Sequence, residues 1–231
     1  MIDNFGTNKK SLPIPGNITR RDFLKYSGIA VISVGACGFL TSADGAPIPI
    51  SQGYLLVDTK KCQGCLTCML SCSLVHEGKE NLSLSRIQVL QNPFEKYPDD
   101  IRQIQCRQCP IPACMLACDT GALHVDTANG NVRLVDYSKC NGCLKCIAAC
   151  PYTPGRALWN FKAGHAQKCD LCVATPYWNE KGGPGGKQAC VTFCPLKAIQ
   201  FTSTLPAQGA PDGYTVNLRD SAWAALGYPI K

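Results

Sequence analysis

The chain has 231 residues, enough for one or two domains. Its 45% apolar share includes 17 cysteines, and without them about 38% remains, lean against the ~45–50% usual for a globular domain. The formal charge of +7 is scattered, with no basic run, which excludes a nucleic-acid-binding surface.

Residues 19–25 read TRRDFLK and run into the apolar stretch Gly28–Leu40, GIAVISVGACGFL. A basic, polar segment followed by a short apolar one predicts an export leader over residues 1–43. The adjacent Arg20 and Arg21 point to the twin-arginine route, with Thr19 where serine is usual. The apolar stretch is too short for a spanning helix, which needs about 20 residues. No later apolar run reaches 18 residues, so no membrane span is expected. Cleavage after Ala43 is one reading. Val34-Gly35-Ala36-Cys37 also resembles a weak lipoprotein box, in which Cys37 would carry lipid; otherwise Cys37 is a small apolar residue. The route exports folded chains, so a cofactor can be inserted in the reducing cytoplasm, and an exported cysteine-rich chain need not be a disulfide scaffold. The expected location is the periplasmic side of a bacterial membrane, or the cytoplasm if the leader is retained.

Apart from Cys37, the cysteines form four groups of four. The first is Cys62, Cys65, Cys68, Cys72 in KCQGCLTCMLSC. Leu82–Leu90 (LSLSRIQVL) then alternates as a strand would. The second group is Cys106, Cys109, Cys114, Cys118, containing CRQCPIPAC. Strands are expected at Ala122–Asp126 and Val132–Asp136 around the hairpin signal TANGN, Thr127–Asn131. The third group, Cys140, Cys143, Cys146, Cys150, repeats the first as KCNGCLKCIAAC and is followed by Pro151. The fourth is Cys169, Cys172, Cys190, Cys194, with the loop Asn179–Gly186 in its long central gap and Pro195 after it. The loop lacks GxxxxGK[ST] and is not a phosphate loop, since Lys187 precedes Gln188. Short helices are expected after the third cysteine of each group.

Groups one and three match each other; the end of group two, CDTGALHV, parallels that of group four, CPLKAIQF. This alternation reads as a duplicated two-cluster unit. Spacing of x2, x2 lets a tight loop place three thiolates at one corner of an Fe₄S₄ cube, and the fourth cysteine falls one helical turn on. Zinc Cys₄ sites are the alternative, but they use two pairs separated by a longer loop. Disulfides fit worse, because the groups crowd thiols beyond simple pairing. Residues 44–231 carry a net charge of +4, and four [4Fe–4S]²⁺ units of about −2 each, thiolates included, would make the mature protein about −4.

His76, His124 and His165 stand in unrelated contexts and read as surface residues; Trp159, Trp178 and Trp223 read as packing or interface residues. No nucleophile–base motif, GxGxxG or paired-carboxylate signature is present. The function expected is electron delivery, without catalysis.

The leader, the order of the groups and CRQCPIPAC resemble the four-cluster ferredoxin-like subunits of bacterial molybdenum and tungsten oxidoreductases over roughly Val57–Phe201. SLVHEGKENLSLSRIQV and GYTVNLRDSAWAALGYP are similar to ferredoxin subunits of aldehyde:ferredoxin-oxidoreductase-type tungsten enzymes. The resemblance implies an α+β, duplicated two-cluster bacterial ferredoxin-like fold with short helices, β-hairpins and long loops over 44–205, and a C-terminal extension, 206–231, that contacts a partner. It implies four [4Fe–4S] clusters with crossed ligands. Cys62, Cys65 and Cys68 would share one with Cys194, and Cys169, Cys172 and Cys190 one with Cys72. Cys106, Cys109 and Cys114 would share a third with Cys150, and Cys140, Cys143 and Cys146 a fourth with Cys118. The gap between Cys172 and Cys190 is longer than is common in the family. Lys61, Lys139 and Lys168 each precede a first cysteine and would either raise local potentials or be solvated. The implied partner is a catalytic molybdenum or tungsten subunit, with a membrane quinone-reactive or cytochrome subunit or a soluble ferredoxin as the other redox partner. The alternatives are a free-standing polyferredoxin shuttle and a zinc-stapled interaction module.

Overall fold

The computed structural model describes residues 47–97, 99–209, 212–228 and 230. The expected leader, with Arg20, Arg21 and Cys37, lies outside the described residues. Where the sequence alternates over short runs, the backbone pairs into two-stranded antiparallel ribbons. β1 (Tyr54–Val57) pairs with β8 (Ile199–Thr202), in register from Tyr54 opposite Thr202 to Val57 opposite Ile199. The other three ribbons are local: β2 (Gln88–Gln91) with β3 (Ile101–Ile104), β4 (Leu123–Asp126) with β5 (Val132–Val135), and β6 (Ala157–Asn160) with β7 (His165–Lys168). The helices are α1 (Thr67–Glu77), α2 (Ala113–Leu116), α3 (Lys145–Ala148), α4 (Ala189–Thr192) and α5 (Ser221–Ala225). The architecture is mixed α+β, with short elements joined by long loops.

Two expectations about elements change. Leu82–Leu84 is a 3₁₀ turn, because the Asn81 side chain accepts from the Ser83 N–H at 2.9 Å and draws the chain into a turn; the strand begins at Gln88. The helices do not follow the third cysteine but contain it, starting one residue earlier at Thr67, Ala113, Lys145 and Ala189. The expected hairpin is present, with Asp126 accepting from the N–H groups of Ala128 and Asn129 to fold Thr127–Asn129. The segment 179–186 is loop, as the sequence predicts.

α1 buries Cys68, Met69, Cys72, Ser73, Val75 and His76 on one face, the i, i+3, i+4 pattern of an amphipathic helix, and stops at Gly78 (φ 65°), whose N–H reaches the Leu74 carbonyl at 2.8 Å. The largest core cluster has sixteen buried members, and seven of them are cysteines, so much of the apolar centre is built of potential ligands rather than aliphatic side chains. Residues 214–218 run beside β1: Val57 N–H donates to the Tyr214 carbonyl at 3.0 Å, and Val216 N–H to that of Val57 at 3.0 Å.

Candidate metal centre

The local backbone around each cysteine group explains its sequence. In groups one and three, Gly64 (φ 67°) and Gly142 (φ 75°) turn the chain left-handed just before the second cysteine. Leu66 and Leu144 repeat the same conformation at φ 61° before the third. A non-glycine residue held there costs about 1–2 kcal/mol, so the loops store strain in order to turn three thiols to one side. Gln108 (φ 48°) and Leu171 (φ 55°) take the glycine's place before Cys109 and Cys172. Asp58 and Asp136, each four positions before a first cysteine, cap the entering turns: Asp58 accepts from Lys60 and Lys61 N–H at 3.1 Å each, and Asp136 from Ser138 N–H at 3.0 Å.

The structure brings cysteines from different groups together. One cavity is lined by Cys62, Cys65, Cys68 and Cys194, a second by Cys72, Cys169, Cys172 and Cys190, and a third by Cys106, Cys109, Cys114 and Cys150. Cys146 lies in the field of Cys118, Cys140 and Cys143; burial first, and then those neighbours, raise its thiol pKa. Every fourth cysteine accepts a backbone N–H at its sulfur: Cys72 from Arg86 (3.4 Å), Cys118 from Leu123 (3.3 Å), Cys150 from Arg156 (3.2 Å) and Cys194 from Ala198 (3.3 Å). Such donors favour thiolate over thiol. Where groups one and two end, Ser73 and Asp119 show what replaces the proline of the other two. Ser73 Oγ donates to the Leu70 carbonyl at 2.9 Å, and Asp119 pairs with Lys145.

Burial raises the thiol pKa of Cys68 and Cys114 to about 12, and raises those of Cys172 and Cys190 well above the ordinary thiol value. Thiols that favour the neutral form when left alone become stable as thiolates only with positive charge beside them. Buried donors without partners point the same way. Arg86, with Nε buried and unpartnered, lines the second cavity, and Arg133 and Arg156, with Nε of each and Nη1 of Arg156 in the same condition, line the third. Orphaned guanidinium hydrogens and four thiols around one space fit an anionic group that carries several acceptor atoms. Among the described residues no three His, Cys, Asp or Glu side chains close around a single-ion position.

His76, read from sequence as a surface residue, is buried, 5% exposed. Its place one turn after Cys72 turns the ring inward: Nδ1 lies 2.7 Å from the Cys72 carbonyl and Nε2 2.9 Å from Asp170 Oδ1. Arg86 Nη1 donates to the other Asp170 oxygen at 2.7 Å, and its Nη2 to Tyr137 Oη at 2.7 Å. Burial pulls the His76 pKa down, but the Asp170 and Cys72 contacts outweigh it and set it at about 9. His124 and His165 are partly buried, and His165 stacks on Tyr137 at 3.9 Å. The three lysines divide. Lys168 is buried, with Nζ donating to the Arg133 carbonyl at 2.5 Å; Lys61 is buried and donates to the Leu218 carbonyl at 2.8 Å; Lys139 is exposed and pairs with Asp136 at 3.0 Å. Of the tryptophans, Trp178 packs against the buried Val75, Cys172 and Ala189, and Trp223 sits under Lys61. Sequence reasoning does not single out Arg86, Arg133, Arg156 or Asp170. Only Asp170, between two cysteines of CDLC, has a signal to offer.

Comparisons with known proteins agree with this chemistry. A profile of the 4Fe-4S dicluster domain matches residues 100–204. The thiosulfate reductase electron transfer subunit PhsB of Salmonella typhi is 35% identical over 65% of this chain and 76% of its own length. The B subunit of the anaerobic dimethyl sulfoxide reductase of Escherichia coli K12 is 34% identical over 65% of this chain and 73% of its own length. The hydrogenase-2 operon protein HybA of Escherichia coli O157:H7 is 28% identical over 80% of this chain, which spans 62% of that longer protein. With these thiols, these donors and these relatives, the chain belongs to the family of 4Fe-4S dicluster proteins that includes the iron–sulfur electron-transfer subunits of dimethyl-sulfoxide-reductase-type enzymes.

Proposed function

We propose that this subunit holds four [4Fe–4S] clusters in a line and relays single electrons between a catalytic molybdenum or tungsten subunit and a second redox partner. The observation that carries the reading is the grouping of thiols across the chain: each of three cavities takes three from one group and one from another, and Cys118 stands beside Cys140, Cys143 and Cys146. The ligand sets follow: Cys62, Cys65, Cys68 with Cys194; Cys169, Cys172, Cys190 with Cys72; Cys106, Cys109, Cys114 with Cys150; and Cys140, Cys143, Cys146 with Cys118. Each cluster, when bound, takes up and gives back one electron.

The chain's own residues order the sites. Cys68 and Cys72 share α1 and tie the first set to the second, and Cys169 feels Cys106 across the boundary between the second and third. Cys146 in α3 and Cys150 just after it tie the third set to the fourth. Cys65 and Cys143 are exposed, whereas all four cysteines of the second set are buried. Electrons therefore have openings at the two ends and an insulated middle. The matching turns at Asp58 and Asp136, at Gly64 and Gly142, and at Lys197 and Gly121 support a duplicated two-cluster unit over 44–205.

The extension 206–231 is assigned a partner contact at α5, where Leu226 is 71% exposed, while its earlier part braces β1. The leader over 1–43 is assigned twin-arginine export of the folded, loaded subunit to the periplasmic side. Anaerobic purification through a tag on this chain tests the partnership. A large subunit carrying molybdenum or tungsten should come down in a fixed ratio. Isolation of the fully loaded chain alone, from cells that express its neighbours, would favour a free-standing shuttle.

A further inference from the structure

We propose that the site held by Cys106, Cys109, Cys114 and Cys150 has the highest reduction potential of the four, because buried cations that no carboxylate neutralises face it. The inference rests on the four-cluster reading above.

Three cations without a carboxylate partner line that cavity, Lys168 and Arg133 buried and Arg156 half-buried. Lys168, 3% exposed, fixes its ammonium between the Arg133 carbonyl at 2.5 Å and the Cys169 carbonyl at 3.2 Å. Arg133, 1% exposed, donates Nη1 to the Asn131 carbonyl at 2.5 Å and keeps Nε buried without a partner. Arg156 offers its backbone N–H to Cys150 Sγ at 3.2 Å and holds Nε and Nη1 buried without partners. Among the described residues none of the three has a carboxylate within ion-pair distance. Arg107, a fourth cation on the rim, is paired with Asp212.

At the other sites the lining cations are paired, and the second shares only Lys168, through the Cys169 carbonyl, with the third. Beside the Cys72 set, Asp170 takes Arg86 at 2.7 Å and His76 at 2.9 Å, and Glu77 lies 3.6 Å from Arg86. The cavity of the Cys62 set is lined by glutamines and apolar groups; Lys61 is not among its lining residues and lies 5.7 Å from the centre of the Trp223 ring. Near the Cys118 set, Lys145 is exposed and paired with Asp119.

Reduction adds one negative charge. A buried, fixed and unneutralised cation stabilises that charge with little solvent screening, whereas a paired or exposed one acts weakly. The third site is therefore where an electron in the line rests longest.

The test is an anaerobic redox titration of the intact purified complex, followed by electron paramagnetic resonance, for the parent and for Lys168→Met, Arg156→Gln and Arg156→Lys. The highest-potential transition should fall by at least tenfold in its reduction equilibrium in the first two variants, which is 59 mV for a one-electron couple. Arg156→Lys should stay near the parent. A highest transition that does not move, or a shift confined to a lower one, overturns the assignment. So does loss of iron from Arg156→Gln as well as Lys168→Met, since the cations would then be structural. Fewer than four transitions in the parent would instead defeat the four-cluster reading itself.

Discussion

Cys118 shows how one residue tests the crossed arrangement. It lies in sequence with Cys106, Cys109 and Cys114, yet its sulfur belongs to the surroundings of Cys146, which feels it before its own neighbours Cys140 and Cys143. Cys118→Ser should therefore strip or perturb the cluster of the third group and leave that of the second intact, as read by cluster-resolved paramagnetic resonance and iron content. Loss at the second group instead would contradict the ligand sets. Lys197 gives a stability prediction. It is exposed at φ 53°, three positions after the last cysteine of group four, and Gly121, three positions after that of group two, has φ 65°. Lys197→Gly should stabilise the loaded protein by about 1 kcal/mol, seen as a higher thermal midpoint, because it relieves a left-handed non-glycine residue. The grouping of the cysteines was legible because close, regular spacing gathers thiols, and the structure sets them around common cavities. Arg133, Arg156 and Asp170 were not, because their importance comes from burial beside thiols brought from elsewhere in the chain. His76 was misread for the same reason: a lone histidine in sequence gives no sign that Asp170, 94 positions away, will meet its ring.

At the scale of elements, the long gap in the fourth group is closed by packing. Gly183 N–H donates to the Leu171 carbonyl at 2.8 Å, and the buried Gln188 amide reaches the Gly183 and Gly186 carbonyls at 2.8 and 3.1 Å. Gly182 presses against the backbone of Cys172 so closely that an added Cβ would lie 1.7 Å from its carbonyl oxygen. Gly182→Ala should cost about 1–3 kcal/mol or more and should deplete iron first from the Cys72, Cys169, Cys172, Cys190 site, measured by melting and by iron assay. Full iron and an unchanged midpoint would mean that the loop does not brace the site. The Asn-Gly hairpin between β4 and β5 was readable because its turn chemistry is local. The true start of β2 was not, because an Asn81 cap competes with the Leu/Ser alternation that follows it.

Over the whole molecule, the ends of the described chain hold the wire shut. β1 pairs with β8, and the returning tail places the buried Tyr214 against Tyr54, with Tyr214 Oη donating to the Arg107 carbonyl at 2.8 Å, beside Cys106. Tyr214→Ala should destabilise by about 3–5 kcal/mol and loosen the Cys106–Cys114 loop, detected as faster iron loss to chelator. The repetition of the cysteine groups was visible in the sequence, but the bracing role of residues 214–219 was not: Tyr214, Val216 and Leu218 alternate with polar residues as a strand would, and alternation alone does not name β1 as the partner. The central claim, four cubane sites in one subunit, is tested most directly by iron and acid-labile sulfide per chain in anaerobically purified protein. About sixteen of each is expected from four [4Fe–4S] clusters. Zinc in place of iron, or about eight irons with half of the thiols open to alkylation, would contradict it.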